Sequence, residues 1–195
     1  GVQTCALPIF YLRLEQCGFE GDPGSLGAAF ADTGGTFVDL FAIRVHNFKY
    51  GVLFDQTEIA TIDASIFDDQ ITAGVWLVNG ADRTPGASNN FTNRITVSRN
   101  QFNQGAASYC LVDDGGVAHT ITNNNFNGGV ENVRICSSEG CTISGNEFEG
   151  SASTCLTFHA TTLLGTSGGA IIAPRGVLVS GNVFAPTLGN IQIEF

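Results

Sequence analysis

Asp113 and Asp114 stand side by side in Leu111–Gly116, LVDDGG, and are the residues of this 195-residue chain best suited to proton transfer. Two carboxyls held close together push one pKa up and the other down, which suits a general acid beside a general base. Glycosidic hydrolysis needs two such groups, about 5 Å apart for retention or roughly 6.5–9.5 Å for inversion. The same residues also read as an acidic turn, with Gly115 and Gly116 supplying backbone freedom and an Asp capping it. Arg134 and His159 extend the chemistry. An arginine neutralises a uronate carboxylate and a histidine shuttles a proton, as a lyase or an epimerase requires. Arg134 also suits an ion pair with Glu131 or Asp113, and His159 a hydrogen bond that braces a loop. Trp76, the sole tryptophan, is either a platform for a sugar ring or a side chain covered by a neighbouring loop. Asp55, Asn79, Asp82 and Arg83 complete the candidate substrate contacts.

These residues are positioned by a repeat. Ile95–Phe102 reads ITVSRNQF, and Thr120–Phe126 (TITNNNF), Thr142–Phe148 (TISGNEF) and Leu178–Phe184 (LVSGNVF) repeat it. An Asn stands two residues before each closing Phe: Asn100, Asn124, Asn146 and Asn182. A β-branched aliphatic stands five before it: Val97, Ile121, Ile143 and Val179. The Phe marks follow one another at intervals of 24, 22 and 36 residues. A period in the low twenties, with inserts, is the mark of a solenoid. The spacing predicts a short strand burying alternate aliphatics, a tight corner whose left-handed backbone Asn tolerates, an Asn ladder, and a stack of Phe rings. Degenerate copies precede these. Tyr11–Phe19 carries Cys17 in the Asn slot, Phe37–Phe48 carries His46 and Ile62–Phe67 carries Ser65.

After each Phe comes a turn and a second short strand, at Val52–Asp55, Val75–Val78, Cys110–Asp113, Val133–Cys136, Leu156–His159 and Ile191–Glu194. Alternation predicts the inward pairs Val52/Phe54, Val75/Leu77, Cys110/Val112, Val133/Ile135, Leu156/Phe158 and Ile191/Ile193. For Cys110–Asp113, Tyr109/Leu111 is the competing inward pair. The outward columns are then Leu53, Trp76, Leu111, Arg134, Thr157 and Gln192, beside Asp55, Val78, Asp113, Cys136, His159 and Glu194. Two inserts, Ala81–Thr92 and Ala160–Pro174, leave the same edge. They are expected to wall a groove whose floor holds Asp113, Asp114, Arg134 and His159.

On these repeats, from about residue 10 to 195, the chain resembles the right-handed parallel β-helix of the pectate-lyase-like superfamily. The resemblance implies an all-β, single-stranded parallel solenoid with an Asn ladder, a Phe stack and almost no helix. It also implies a polysaccharide lying on the outward face of the second strands, in an extracellular or virion-associated hydrolase, lyase or epimerase. Of the N-x-D, D-D, G-H-G and R-x-K pattern of polygalacturonases, only Asp113–Asp114 matches. Pectate lyases hold Ca²⁺ on several Asp of this face, and Asp55 and Asp113 leave Ca²⁺ open as a cofactor. The rival reading is a non-catalytic glycan-recognition or structural β-helix, such as a tailspike shaft or adhesin, with a homotrimer as its assembly. Ice binding needs regular outward Thr rows, which this register does not provide.

The bulk properties agree with a folded, turn-rich β protein: 43% hydrophobic residues, 25 Gly and 5 Pro. Eight basic against 18 acidic residues give a net charge of −10, which disfavours nucleic acid and anionic membranes as partners. The resemblance implies polysaccharide as the partner. No run approaches the roughly 18 apolar residues of a membrane span. Cysteines without regular spacing argue for buried thiols rather than a disulfide framework, and scattered His and Cys argue against a metal site. Gly1–Ile9, GVQTCALPI, fits no repeat and resembles translated sequencing adapter, so it is expected to lie outside the fold. The absence of Met and the strand-like end at Ile191–Phe195 point to an internal piece of a longer chain.

Overall fold

The computed structural model describes residues 11–22, 24–78, 92–136, 138–159, 174–185 and 193–194. Among them there are strands and turns and no helix. The strands stack as a parallel β-solenoid of about six turns with three seven-stranded sheets. The first sheet holds Leu12–Glu15, Val38–Phe41, Ala60–Asp63, Ile95–Ser98, Thr120–Thr122, Thr142–Ser144 and Leu178–Ser180. The second holds Gly18–Glu20, Arg44–His46, Ile66–Asp68, Gln101–Gln104, Asn125–Gly128, Glu147–Glu149 and Val183–Ala185. The third holds Ala28–Thr33, Tyr50–Asp55, Ala73–Val78, Tyr109–Asp114, Glu131–Cys136, Thr154–His159 and Ile193–Glu194. Each coil therefore has three strands where the sequence pattern suggested two. The Phe segment, read as the end of the first strand, is a strand in its own right.

The corner between the first two sheets explains the repeat. The residue before each Asn takes the left-handed backbone, not the Asn itself: φ is 56° at Arg99, 55° at Asn123, 66° at Gly145 and 62° at Gly181. For a non-glycine residue that conformation costs about 1 kcal/mol. The Asn that follows is turned inward, and Asn100, Asn124 and Asn146 are buried. Asn124 Oδ1 accepts from the backbone N–H and the side-chain Nδ2 of Asn100, each at 3.0 Å. Its own Nδ2 donates to Val97 O at 2.9 Å. Asn146 and Asn182 repeat the arrangement. Ser65 ends the ladder, donating its N–H to Asn100 Oδ1 and accepting from Ile43 N–H.

Inside the corner, Phe67, Phe102, Phe126, Phe148 and Phe184 stack with ring centroids 4.9, 4.9, 5.2 and 4.9 Å apart. The coil of Phe37–Phe48 differs from expectation. Val45 aligns with Phe67, so Val45 rather than Phe48 occupies the stack position. Ile43 fills the corner slot, and His46 points outward to Glu20. Cys17 does hold the slot of the first coil, since Phe19 aligns with Val45. The other corners have ladders the repeat did not announce. Gln70 N–H donates to Gln104 Oε1 at 3.0 Å, and Thr57 O–H donates to Asp32 at 2.6 Å.

The first sheet also carries the hydroxyl rows that the sequence reading found missing. Thr61, Thr96, Thr120 and Thr142 align in one outward column, and Ser98, Thr122, Ser144 and Ser180 in the next. These rows lie on the strands before the Phe, not on those after it. In the second column the hydroxyls bond along the stack, Thr122 to Ser144 at 3.3 Å and Ser98 to Asp63 at 2.8 Å.

Removing one rung should be costly. Asn124→Ala strips Asn100 N–H and Val97 C=O of their buried partner and is expected to cost roughly 2–4 kcal/mol, read as a lowered denaturation midpoint. Gln101→Ala, on the exposed side of the next strand, should change stability by less than about 0.5 kcal/mol. Equal effects would mean that the ladder is not what holds the corner.

Candidate functional site: the outward face of the third sheet

The register of the third sheet decides which side chains face out. Leu111 aligns with Val75 and Val133, and Asp113 with Leu77 and Ile135. The inward residues of that strand are therefore Leu111 and Asp113, with Val112 outward, and the predicted inward pair Cys110/Val112 is wrong. Cys110 is interior as well, because the residue leaving each corner points at the Phe stack. At the equivalent Gly51 and Gly74, an added Cβ would lie 2.7 Å from the Phe67 and Phe102 rings. The other inward pairs within the described residues stand as expected: Val52/Phe54, Val75/Leu77, Val133/Ile135 and Leu156/Phe158.

Asp113 is consequently not a groove residue. Its side chain is fully buried, with Oδ1 accepting Gly116 N–H at 3.0 Å and Oδ2 accepting the Cys141 thiol at 3.2 Å. This is the turn-capping role. Asp114 is the outward member of the pair, level with Val78 and almost wholly enclosed. The two carboxyls point to opposite sides of the sheet and do not form an acid–base pair.

The outward face has an apolar end and a polar end. Ala73, Trp76 and Val112 are buried there, packed against Tyr50, Leu53, Val78 and Tyr109. Trp76 is only 4% exposed and meets Tyr50 edge to face at 5.3 Å. It is thus a packed residue and not an open platform, and its indole N–H has no partner among the described residues. Toward the other end, Arg134 pairs with Glu131 at 3.2 Å, its guanidinium 6.0 Å from the Tyr109 ring centroid. Glu131 also accepts the Thr157 hydroxyl at 2.6 Å. The Arg134 charge is therefore already matched by Glu131.

The last outward column runs Asp55, Val78, Asp114, then Cys136 and His159. Burial raises the pKa of Asp55, and its Oδ1 is enclosed without a partner among the described residues. His159 Nε2 is likewise enclosed and has no partner among the described residues. Burial, and then the Asp114 charge, push the Cys136 thiol up to about 12. Burial also raises Cys110 and Cys141. These are neutral thiols rather than nucleophiles, and all five described cysteines are free.

Asn79, Asp82 and Arg83 lie outside the described residues, as do the inserts except for Thr92 and Pro174. Among the described residues no group of three or more His, Cys, Asp or Glu side chains could hold a metal ion. Of the competing inward pair Tyr109/Leu111, Leu111 is inward and Tyr109 outward, sharing an outward column with Tyr50, which sequence reasoning passed over. Matching those two tyrosines, each opening a six-residue strand, would have set the correct register.

The raised carboxyl gives a stability test. A folded pKa above the unfolded value means that Asp55 contributes stability below the unfolded pKa, which is lost as pH rises through the folded one. Asp55→Asn should therefore raise the melting temperature at pH 7 and leave it nearly unchanged at pH 3. A lower melting temperature at pH 7 would show that the carboxylate is stabilised by its surroundings. No protein-family model matches the sequence, and neither a curated protein nor a solved structure does.

Proposed function

We propose that this chain is a carbohydrate-active β-helix protein of the pectate-lyase-like kind, extracellular or virion-associated, that hydrolyses a polysaccharide on the outward face of its third sheet. The observation that carries the reading is the column Asp55–Val78–Asp114. It sets two carboxyl-bearing residues two strands apart, roughly 10 Å between their Cα atoms at normal strand spacing. Carboxyls roughly 6.5–9.5 Å apart leave room for an attacking water and give inversion. Burial favours the protonated form of Asp55, which suits the general acid that protonates the leaving oxygen. Asp114 is assigned as the general base by its place two strands along the same column. The adjoining outward column borders the reacting position, with Leu53, Trp76 and Val112 on the apolar side and Arg134 and Thr157 on the polar side.

Asp55→Asn and Asp114→Asn should each lower release of reducing ends from the cleaved polysaccharide by at least about 100-fold, with the circular dichroism spectrum unchanged. The first-formed sugar should carry the inverted anomeric configuration by NMR. Undiminished hydrolysis in Asp55→Asn would remove the assignment, and ultraviolet-absorbing unsaturated products would replace hydrolysis with elimination.

A second reading, non-catalytic glycan recognition on a tailspike- or adhesin-like shaft, is favoured by one observation. Trp76, Arg134 and Glu131 are engaged with neighbouring protein groups instead of standing open. Glycan binding without cleavage in the parent chain, with a trimer by sedimentation, is the result that selects it.

A further inference from the structure

A concavity of about 530 Å³ lies away from the third sheet, along the outer corner where the first sheet turns into the second. Its size falls within the roughly 300–1,000 Å³ of small-molecule sites. The corner is concave because each coil bends there through one left-handed residue, at Ala64, Arg99, Asn123 and Gly145 in turn. The bend brings the outward side chains of the second sheet alongside the corner residues of the same coils.

The lining is rich in amides with unused hydrogen-bonding capacity. Asn123 and Asn127 are exposed, and among the described residues their side-chain amides have no hydrogen-bond partner. Each leans over a glycine of the next coil. A Cβ on Gly145 would meet Asn123 Oδ1 at 2.6 Å, and one on Gly150 would meet Asn127 Oδ1 at 2.5 Å. Gln101 uses one N–H on Asn103 and leaves its carbonyl open. Asn125 donates to Glu147 and Glu149, and its carbonyl is open as well. Charge is largely spent: Arg99 is tied to Asp63 through both Nε and Nη2. The groove thus offers donors and acceptors side by side at the spacing of successive coils, without a free cation to hold an anion.

We infer that this corner groove binds a neutral oligosaccharide, with the amides of Gln101, Asn123, Asn125 and Asn127 pairing its hydroxyls across successive coils. The site is separate from the third-sheet face, and neither reading depends on the other. An amide both donates and accepts, as a sugar hydroxyl does. Glu149 and the overall charge of −10 disfavour a uronate chain here.

The test is a titration of the whole chain with cellohexaose, maltohexaose and xylohexaose, and with hexagalacturonate as the anionic counterpart. It is followed by the side-chain amide resonances in NMR and by calorimetry. At least one neutral hexasaccharide should shift the Asn123, Asn127 and Gln101 signals. The double variant Asn123→Ala/Asn127→Ala should weaken that binding about tenfold, as loss of two hydrogen bonds implies. Asp55→Asn should leave it unchanged. Absence of shifts at these amides with all three neutral sugars overturns the proposal. So does binding that favours hexagalacturonate, or binding lost in Asp55→Asn and kept in the double variant.

Discussion

One buried side chain per coil decides whether this chain can turn. A corner of a single left-handed residue leaves the next backbone N–H, and a carbonyl of the coil below, facing the interior without a strand partner. An unpaired buried group of that kind costs about 1–3 kcal/mol. Asn is matched to the problem because its amide accepts and donates at once, and its neighbours above and below need the same. Asn124 thus serves Asn100 and Val97 while being served by Asn146. The Phe stack, the aliphatic columns and the register of all three sheets follow from this alignment, since coils tied at one corner cannot slip against each other.

The parts of the fold that were legible are those that recur. Val97, Asn100 and Phe102 could be read because three further copies repeat them in step. What recurs in composition but not in letters was lost. The Gln70–Gln104 rung and the Thr57–Asp32 contact use different residues for the same purpose, so no repeat announced them. The coil of Phe37–Phe48 misled because a second Phe lies near the expected place, while the position in the stack is taken by Val45. The third sheet misled through Cys110. Strict alternation holds along a straight strand, yet the strand leaves its corner bent, and two successive residues, Cys110 and Leu111, both face inward. That shift moved Asp113 from the presumed groove into the core and left Asp114 on the face.

The outward face of the third sheet illustrates how environment, more than residue type, sets chemistry. Asp55, Asp113 and Asp114 are the same side chain in three situations. One is enclosed and lacks a partner at Oδ1, one caps a turn beneath the sheet, and one stands in an outward column near a thiol. Burial raises the pKa of the first, and the other two are more deeply enclosed still. Trp76 and Arg134 show the complementary case, in which residues suited to ligand contact by type are held by Tyr50 and Glu131.

Because every rung of the Asn ladder contacts only the rungs beside it, the ancestry of such a chain is not tied to its length. Asn124 and Asn146 lie 22 residues apart, and excision of residues 124–145 would set Asn146 directly on Asn100 with the aliphatic and aromatic columns still aligned. Whole coils can be copied or dropped by unequal crossing-over between neighbouring repeats of the gene without passing through an unfolded intermediate sequence. Selection then acts on the number of coils much as it acts on a single substitution elsewhere. A protein of this kind can match the length of what it touches by counting.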